Sequence, residues 1–225
     1  MRIVLLGPPG AGKGSLASLL AKRLGIAHLS TGEIFRQEIA RGSLLGRRVQ
    51  SYVASGRLVP DALVIQVMAQ RLNAKRRTRG FVLDGFPRTH GQAVGLDQAL
   101  KRQGVSIDGA IYLGCSVSLL LRRLSGRRVC PQCGTIFHIR TMRPRRPGRC
   151  DQCQARLVIR KDDQPDMIRR RLNIDGAASR PLVSYYRKRG LLSRLDGSAS
   201  VETVFGRMLK QIQRQGWLIT RSKDD

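Results

Sequence analysis

The sequence predicts an α/β protein: a parallel sheet flanked by helices, interrupted by two insertions. Three observations predict it. Short apolar runs at 3–6, 81–83 and 110–113 each stop at a turn residue or a carboxylate, at Gly7, Asp84 and Gly114. Helical patterns separate these runs, and alternating strand and helix winds a parallel sheet buried on both faces. Two stretches, 30–59 and 126–163, break the alternation.

In chain order, the first run is a strand that ends in a glycine-rich turn, and residues 15–24 follow as a helix. Residues 30–59 carry helix-like apolar spacing (Ile34, Phe35, Ile39, then Leu44, Leu45, Val49) between Thr31-Gly32 and Pro60, with no clear strand. They read as a small helical insertion. Helices are expected at 61–72, with Leu63, Val64, Val67 and Met68 inward, and at 91–103. The second insertion, 126–163, holds two cysteine pairs and the run Arg143-Pro144-Arg145-Arg146-Pro147-Gly148, where regular helix is disfavoured. Helical character returns at 167–172 and 182–186, a last strand at 191–195 and an amphipathic helix at 201–212. Residues 221–225 are expected to fray. The core is then 1–29, 60–125 and 164–225.

At 225 residues and 41% hydrophobic content, the chain can bury one main core. Its N-terminal apolar run is too short for a signal peptide, and no stretch approaches the roughly 18 apolar residues of a membrane span. A soluble cytoplasmic protein, away from membranes, is expected. The formal charge is +27, with eight lysines and 34 arginines. That surplus fits either nucleic-acid binding or an arginine-decorated solvated surface. At 4% aromatics, base-stacking platforms would be scarce.

Residues 7–13, Gly-Pro-Pro-Gly-Ala-Gly-Lys, fit G-x-x-x-x-G-K between a strand and a helix, the context that a phosphate loop requires. Glycines turn successive N–H groups inward as an anion nest, the helix start adds its positive dipole end, and Lys13 brings a mobile charge. The hydroxyl stands one place later than usual, at Ser15 after Gly14.

The Lys13-Gly14-Ser15 ending resembles the phosphate loop of adenylate kinases. Further motifs agree in order and approximate spacing: Ser30-Thr31-Gly32-Glu33 with Arg36, Arg57-Leu58-Val59-Pro60-Asp61, and Leu83-Asp84-Gly85-Phe86-Pro87-Arg88-Thr89 with Gln92. Gly126-Arg127-Arg128 and Arg160-Lys161-Asp162-Asp163 with Arg171 complete the series, over residues 1 to about 210. The resemblance implies a P-loop NTPase-type core, an AMP-binding domain at 30–59 and a lid at 126–163 that closes over ATP. It implies that Gly10, Ala11, Gly12, Lys13, Gly14, Ser15, Arg123, Arg127, Ile136, Phe137 and Ala199 hold ATP. AMP would lie against Thr31, Arg36, Arg57, Leu58, Val59, Gly85, Phe86, Pro87, Arg88 and Gln92. Arg160 and Arg171 would reach the phosphates as the lid shuts, and Lys13, Arg88, Arg127, Arg160 and Arg171 would be catalytic.

Elementary chemistry supports such roles. In ATP + AMP ⇌ 2 ADP the nucleophile is a phosphate oxygen that is already anionic, so no general base is needed, and catalysis reduces to positioning and charge neutralisation. Asp84, ending an apolar strand, is placed to fix Mg²⁺ through its waters. ATP, AMP and ADP are the expected partners, and the chain is expected to act as a monomer.

Cys130-x-x-Cys133 and Cys150-x-x-Cys153 form a four-thiolate pattern suited to tetrahedral Zn²⁺. A four-cysteine site is closed, so the zinc is expected to be structural, replacing a core that this segment lacks. His138 is surplus to the four and is read as a lid-surface or nucleotide-facing residue. Cys115 reads as a small core residue.

Two rival readings fit the same residues. One is a kinase of the same fold acting on UMP, CMP or GMP; Thr31 and Gln92 resemble the adenine pattern and favour AMP. The other is a zinc-ribbon nucleic-acid binder, since Arg140, Arg143, Arg145, Arg146, Arg149 and Arg156 make the lid strongly positive. The expectation is at most a weak, nonspecific, salt-sensitive polyanion affinity. Leu16, Gln154, Asp175 and Ala199 depart from the family's usual residues without removing a phosphate-binding group.

Overall fold

The computed structural model describes residues 1–74 and 80–217; the 221–225 tail lies outside the described residues. The chain opens with β1 (Arg2–Leu6), α1 (Lys13–Leu24) and β2 (Ala27–Ser30), then helices α2 (Thr31–Ala40), α3 (Leu44–Ala54) and α4 (Asp61–Ala74). Next come β3 (Phe81–Asp84), α5 (His90–Lys101), β4 (Gly109–Gly114) and α6 (Val117–Ser125). Two short strands, β5 (Arg127–Val129) and β6 (Ile136–His138), pair antiparallel. A 3-10 turn at Lys161–Asp163 leads into α7 (Pro165–Lys188), β7 (Leu192–Asp196) and α8 (Val201–Arg214).

Five parallel strands form one sheet in the order β2-β3-β1-β4-β7. β1 is central, with Val4 opposite Leu83 of β3 on one side and Ala110 of β4 on the other. Strand order therefore reverses at β1, and the loop that leaves it opens into the crevice where such sheets bind ligands.

Alternation along the strands divides the core. Ile3 and Leu5 pack with Leu16, Leu20, Val204 and Met208 of α1 and α8, whereas Val4 and Leu6 pack with Phe35, Val64, Leu96 and Tyr186 on the opposite face. Both faces are covered, which is why these strands read as unbroken apolar runs.

The expected alternation is present, with three differences. β2 was not anticipated, because Ala27-His28-Leu29-Ser30 buries only Leu29 and offers no apolar run. The short α6 also lacked a sequence forecast; it starts where Ser116 Oγ accepts the Leu119 N–H. The separate helical segments at 167–172 and 182–186 are one 24-residue helix, α7. It runs through Pro181, whose missing N–H removes one helical bond without ending it.

The two irregular stretches are built differently. Ile34, Phe35, Val49 and Val59 join the same apolar cluster as Val4 and Leu83, so α2 and α3 are welded to the main core. The cysteine-bearing stretch instead has its own cluster of only four buried residues, Cys130, Phe137, Cys150 and Leu157.

Candidate active site

The loop after β1 is shaped by glycine. Gly7, Gly10 and Gly12 have φ of 131°, 85° and 95°, a left-handed region in which side chains are strained, and a Cβ on Gly7 would lie 2.6 Å from the Leu113 carbonyl oxygen. Gly12 caps α1 and supplies no side-chain acceptor, so the first amides of the helix are left for an anion. Lys13 Nζ donates to the carbonyls of Gly7 (2.5 Å) and Pro8 (2.9 Å). Burial pulls its pKa down, opposed by the charges of Asp175 and Asp84.

Asp84 ends β3 beside the start of α1. Its Oδ2 accepts from Ser30 Oγ at 3.3 Å and would lie 3.2 Å from a Cβ on Gly14, against the start of α1. Ser15, half-buried in the first turn of α1, follows directly. His28 Nε2 is buried with no hydrogen-bond partner among the described residues, 3.9 Å from the same carboxylate oxygen.

On the neighbouring strand end, Thr31 Oγ1 (2.8 Å) and Arg88 Nε (2.9 Å) both donate to the Gly85 carbonyl. Gly85 has φ 74°, and a Cβ there would press on Thr31 Oγ1 at 3.0 Å and Arg88 Nη2 at 3.2 Å. Gln92 is buried; its Nε2 donates to Asp61 Oδ1 and its Oε1 accepts the Arg88 N–H, each at 2.8 Å. Thr89 Oγ1 donates to Asp61 Oδ2 at 2.6 Å. Asp61, which sequence reasoning gave no role, thus fixes the turn that carries Arg88. Phe86 and Pro87 are buried, and the peptide joining them is cis. Val59 is buried and Leu58 half-buried, while Arg57 is exposed, donating to Ser55 Oγ at 2.9 Å and lying over the Tyr52 ring.

The arginines converge on two aspartates. Arg127 makes a fork on Asp163 (Nε to Oδ2 2.7 Å, Nη2 to Oδ1 2.5 Å), and Arg171 Nη1 reaches Asp163 Oδ1 at 3.2 Å and Asp162 Oδ2 at 2.9 Å. Arg36 and Arg160 lie in the same cluster, coupled electrostatically to Arg127 and Asp162. Burial, reinforced by the charges of Arg36 and Arg127, lowers the Arg160 guanidinium to about 9, and its buried Nε has no hydrogen-bond partner among the described residues. Four arginines therefore face two carboxylates, and positive charge is left over.

Other residues expected to meet ATP have contacts of their own. Arg123 donates to the carbonyls of Gly197 (2.8 Å), Ser198 (3.1 Å) and Ala199 (3.0 Å), clamping that loop. The Phe137 ring is packed into the small cysteine-centred core, while Ile136 is half-buried beside it. Half-buried Cys115 packs against the α1/α8 core, with Arg123 Nη1 at 3.7 Å from its sulfur.

The four cysteine sulfurs of 130, 133, 150 and 153 all lie within 4.8 Å of one another. The closest separations are 3.3 Å (Cys130 to Cys153) and 3.5 Å (Cys133 to Cys150), near the roughly 3.8 Å edge of a tetrahedron with 2.3 Å metal–sulfur bonds. The two pairs sit on matching turns. Cys130 N–H donates to Thr135 O and Cys150 N–H to Ala155 O, both at 2.9 Å. Gly134 (φ 76°) and Gln154 (φ 61°) occupy the same left-handed position in the two turns. Hydrogen bonds with Thr135 lower the Cys133 thiol, while the neighbouring cysteine sulfurs raise Cys153. The donor set fits one tetrahedral, thiophilic divalent ion such as zinc. His138 is not part of it: Nδ1 accepts from the Arg140 and Thr141 N–H groups, leaving Nε2–H to donate to the Arg122 carbonyl.

A phosphate loop at the switch point of a parallel sheet, faced by half-buried arginines, defines a P-loop phosphotransferase. A family profile described as Adenylate kinase matches residues 5–191. The chain is 48% identical to an adenylate kinase of Moorella thermoacetica over 204 residues, 91% of this chain and 94% of that one. Adenylate kinases of Thermosipho melanesiensis (43%) and Carboxydothermus hydrogenoformans (41%) align over 214 residues, 95% of this chain and 100% of each relative. The chain belongs to the adenylate kinase family, enzymes that transfer a phosphoryl group reversibly from ATP to AMP to give two ADP, with Mg²⁺ accompanying ATP.

Proposed function

We propose that the transfer is carried by Lys13, Arg88, Arg127, Arg160 and Arg171, acting by positioning and charge neutralisation. The observation that carries this reading is Arg160: a half-buried guanidinium beside Arg36 and Arg127, whose buried Nε has no hydrogen-bond partner among the described residues. A cation whose charge burial disfavours is stabilised when an anion arrives, and the phosphates of ATP and AMP meeting in this recess supply that anion. The charge then opposes the charge that develops on the phosphoryl oxygens without further reorganisation.

In this reading ATP lies with its phosphates on residues 10–15 and its base between the 197–199 loop and residues 136–137. AMP lies along Thr31, Arg36, Arg57–Val59, Gly85, Arg88 and Gln92, with Gln92 also buttressing the Arg88 backbone. Residues 30–59 and 126–163 serve as the AMP-binding and lid segments. Asp84, beside Gly14 and Ser15, would hold hydrated Mg²⁺, which bridges and neutralises the ATP phosphates when bound. The four cysteines would hold a structural Zn²⁺ that replaces the apolar core which the lid lacks.

The protein is expected to act as a monomer in the cytoplasm, and among the described residues no helix is long and apolar enough to cross a membrane. A weak polyanion affinity has one supporting observation: among the described residues, Arg140, Arg143, Arg145, Arg146, Arg149 and Arg156 form no ion pair. It would appear as heparin retention lost at moderate salt while kinase activity is unchanged.

The deciding assay is ADP formation from MgATP with AMP, UMP, CMP or GMP in turn. AMP should be the preferred acceptor by at least roughly a hundredfold, since a site that hydrogen-bonds one base leaves groups unpaired with another. Faster turnover of another monophosphate would refute the acceptor assignment.

A further inference from the structure

The recess between Lys13 and Arg88, next to the phosphate loop, contains an acid that the charge-neutralisation reading does not need. Its wall is formed by Gly7, Lys13, Gly85 and Arg88 at the sheet end and by Asp175 and Ser179 from α7. Among the described residues lining it, Asp175 is the only acidic one. It is half-buried, and among the described residues it makes neither a hydrogen bond nor an ion pair, so no structural bond accounts for it. Its charge nevertheless falls on Lys13 more strongly than that of Asp84, against Arg88 and Arg171.

We propose that Asp175 is an electrostatic restraint on nucleotide binding, a positioning residue that attracts the Lys13 ammonium in the empty recess and repels phosphates once they enter. The inference rests on the phosphate site proposed above. Lys13 sits on the Gly7 and Pro8 carbonyls while the carboxylate across the recess favours its charged form. An incoming polyphosphate must draw Lys13 to itself and accept a like charge nearby. Both effects weaken binding of either substrate and hasten release of ADP, a step that often limits enzymes with closing lids.

The test is calorimetric titration of ADP into the full chain as wild type, Asp175→Asn and Asp175→Glu, with steady-state kinetics alongside. Removing one half-buried charge should tighten ADP about three- to tenfold at low salt. KM for ATP and AMP should fall by similar factors without a rise in kcat, because the restraint acts on ground state and transition state alike. Asp175→Glu should stay within about twofold of wild type, and the Asn effect should shrink as salt screens it. Unchanged or weaker ADP binding by Asp175→Asn, a rise in its kcat, or a gain independent of salt would overturn the proposal. Failure of the site itself is read separately, as ADP binding to Lys13→Ala that equals binding to wild type.

Discussion

Arg127 forks onto Asp163 with two charge-assisted bonds, and the Asp163 side chain is wholly buried. One carboxylate thereby aims two arginines, since Arg171 Nη1 reaches its Oδ1 as well. Asp163→Asn should lower stability by about 3 kcal/mol, the usual cost of breaking a buried pair from one side. It should also lower kcat/KM about 10- to 100-fold by loosening both arginines, as misplacement of reacting groups does. Denaturant melts with steady-state rates check both outcomes.

Arg160 should show the reverse relation between stability and activity. Burial and the neighbouring cations Arg36 and Arg127 disfavour its charge in the folded state, so carrying that charge at neutral pH costs stability. Arg160→Gln is expected to melt roughly 1–3 °C higher than wild type while kcat falls about 100-fold. A lower melting temperature with intact activity would mean that the cluster serves folding.

Asp162 sets the acid limit. Burial alone would raise its pKa, but Arg171, then Arg36, Arg160 and Arg127, together bring it below the usual 3.8. A carboxyl lowered on folding stabilises the protein above its unfolded pKa, and that contribution is lost as pH falls through the folded value. Asp162→Asn should therefore be less stable than wild type at about pH 6, with the difference closing below about pH 3.8. Thermal melts across that window give the readout.

The cysteine cluster should bind one zinc per chain, measurable by elemental analysis. Cys130→Ser or chelation is expected to lower the melting temperature by on the order of 5–10 °C, because only Phe137 and Leu157 join the buried cysteines in that core. Initial activity should fall less than stability. An unchanged melting curve would refute a structural metal.

Much of this was legible where one residue type answers one physical need. The Gly7 to Lys13 loop, the Gly85 turn and the cysteine pairs declare themselves because only glycine tolerates those backbone positions and only clustered thiols suit such a metal. Gln154 shows the limit, taking a left-handed position that its counterpart Gly134 fills with glycine. β2 was hidden because an edge strand with His28 and Ser30 has no apolar run. The anchoring roles of Asp61 and Asp163 were hidden for a different reason: each depends on a partner 28 or 36 residues away, a separation that no local pattern encodes.

The central claim is transfer by charge neutralisation around Lys13, and its most direct test is ADP formation from MgATP and AMP by Lys13→Ala beside wild type. With circular dichroism unchanged, the account predicts a loss of kcat on the order of a thousandfold. A Lys13→Ala enzyme within about tenfold of wild type would contradict it.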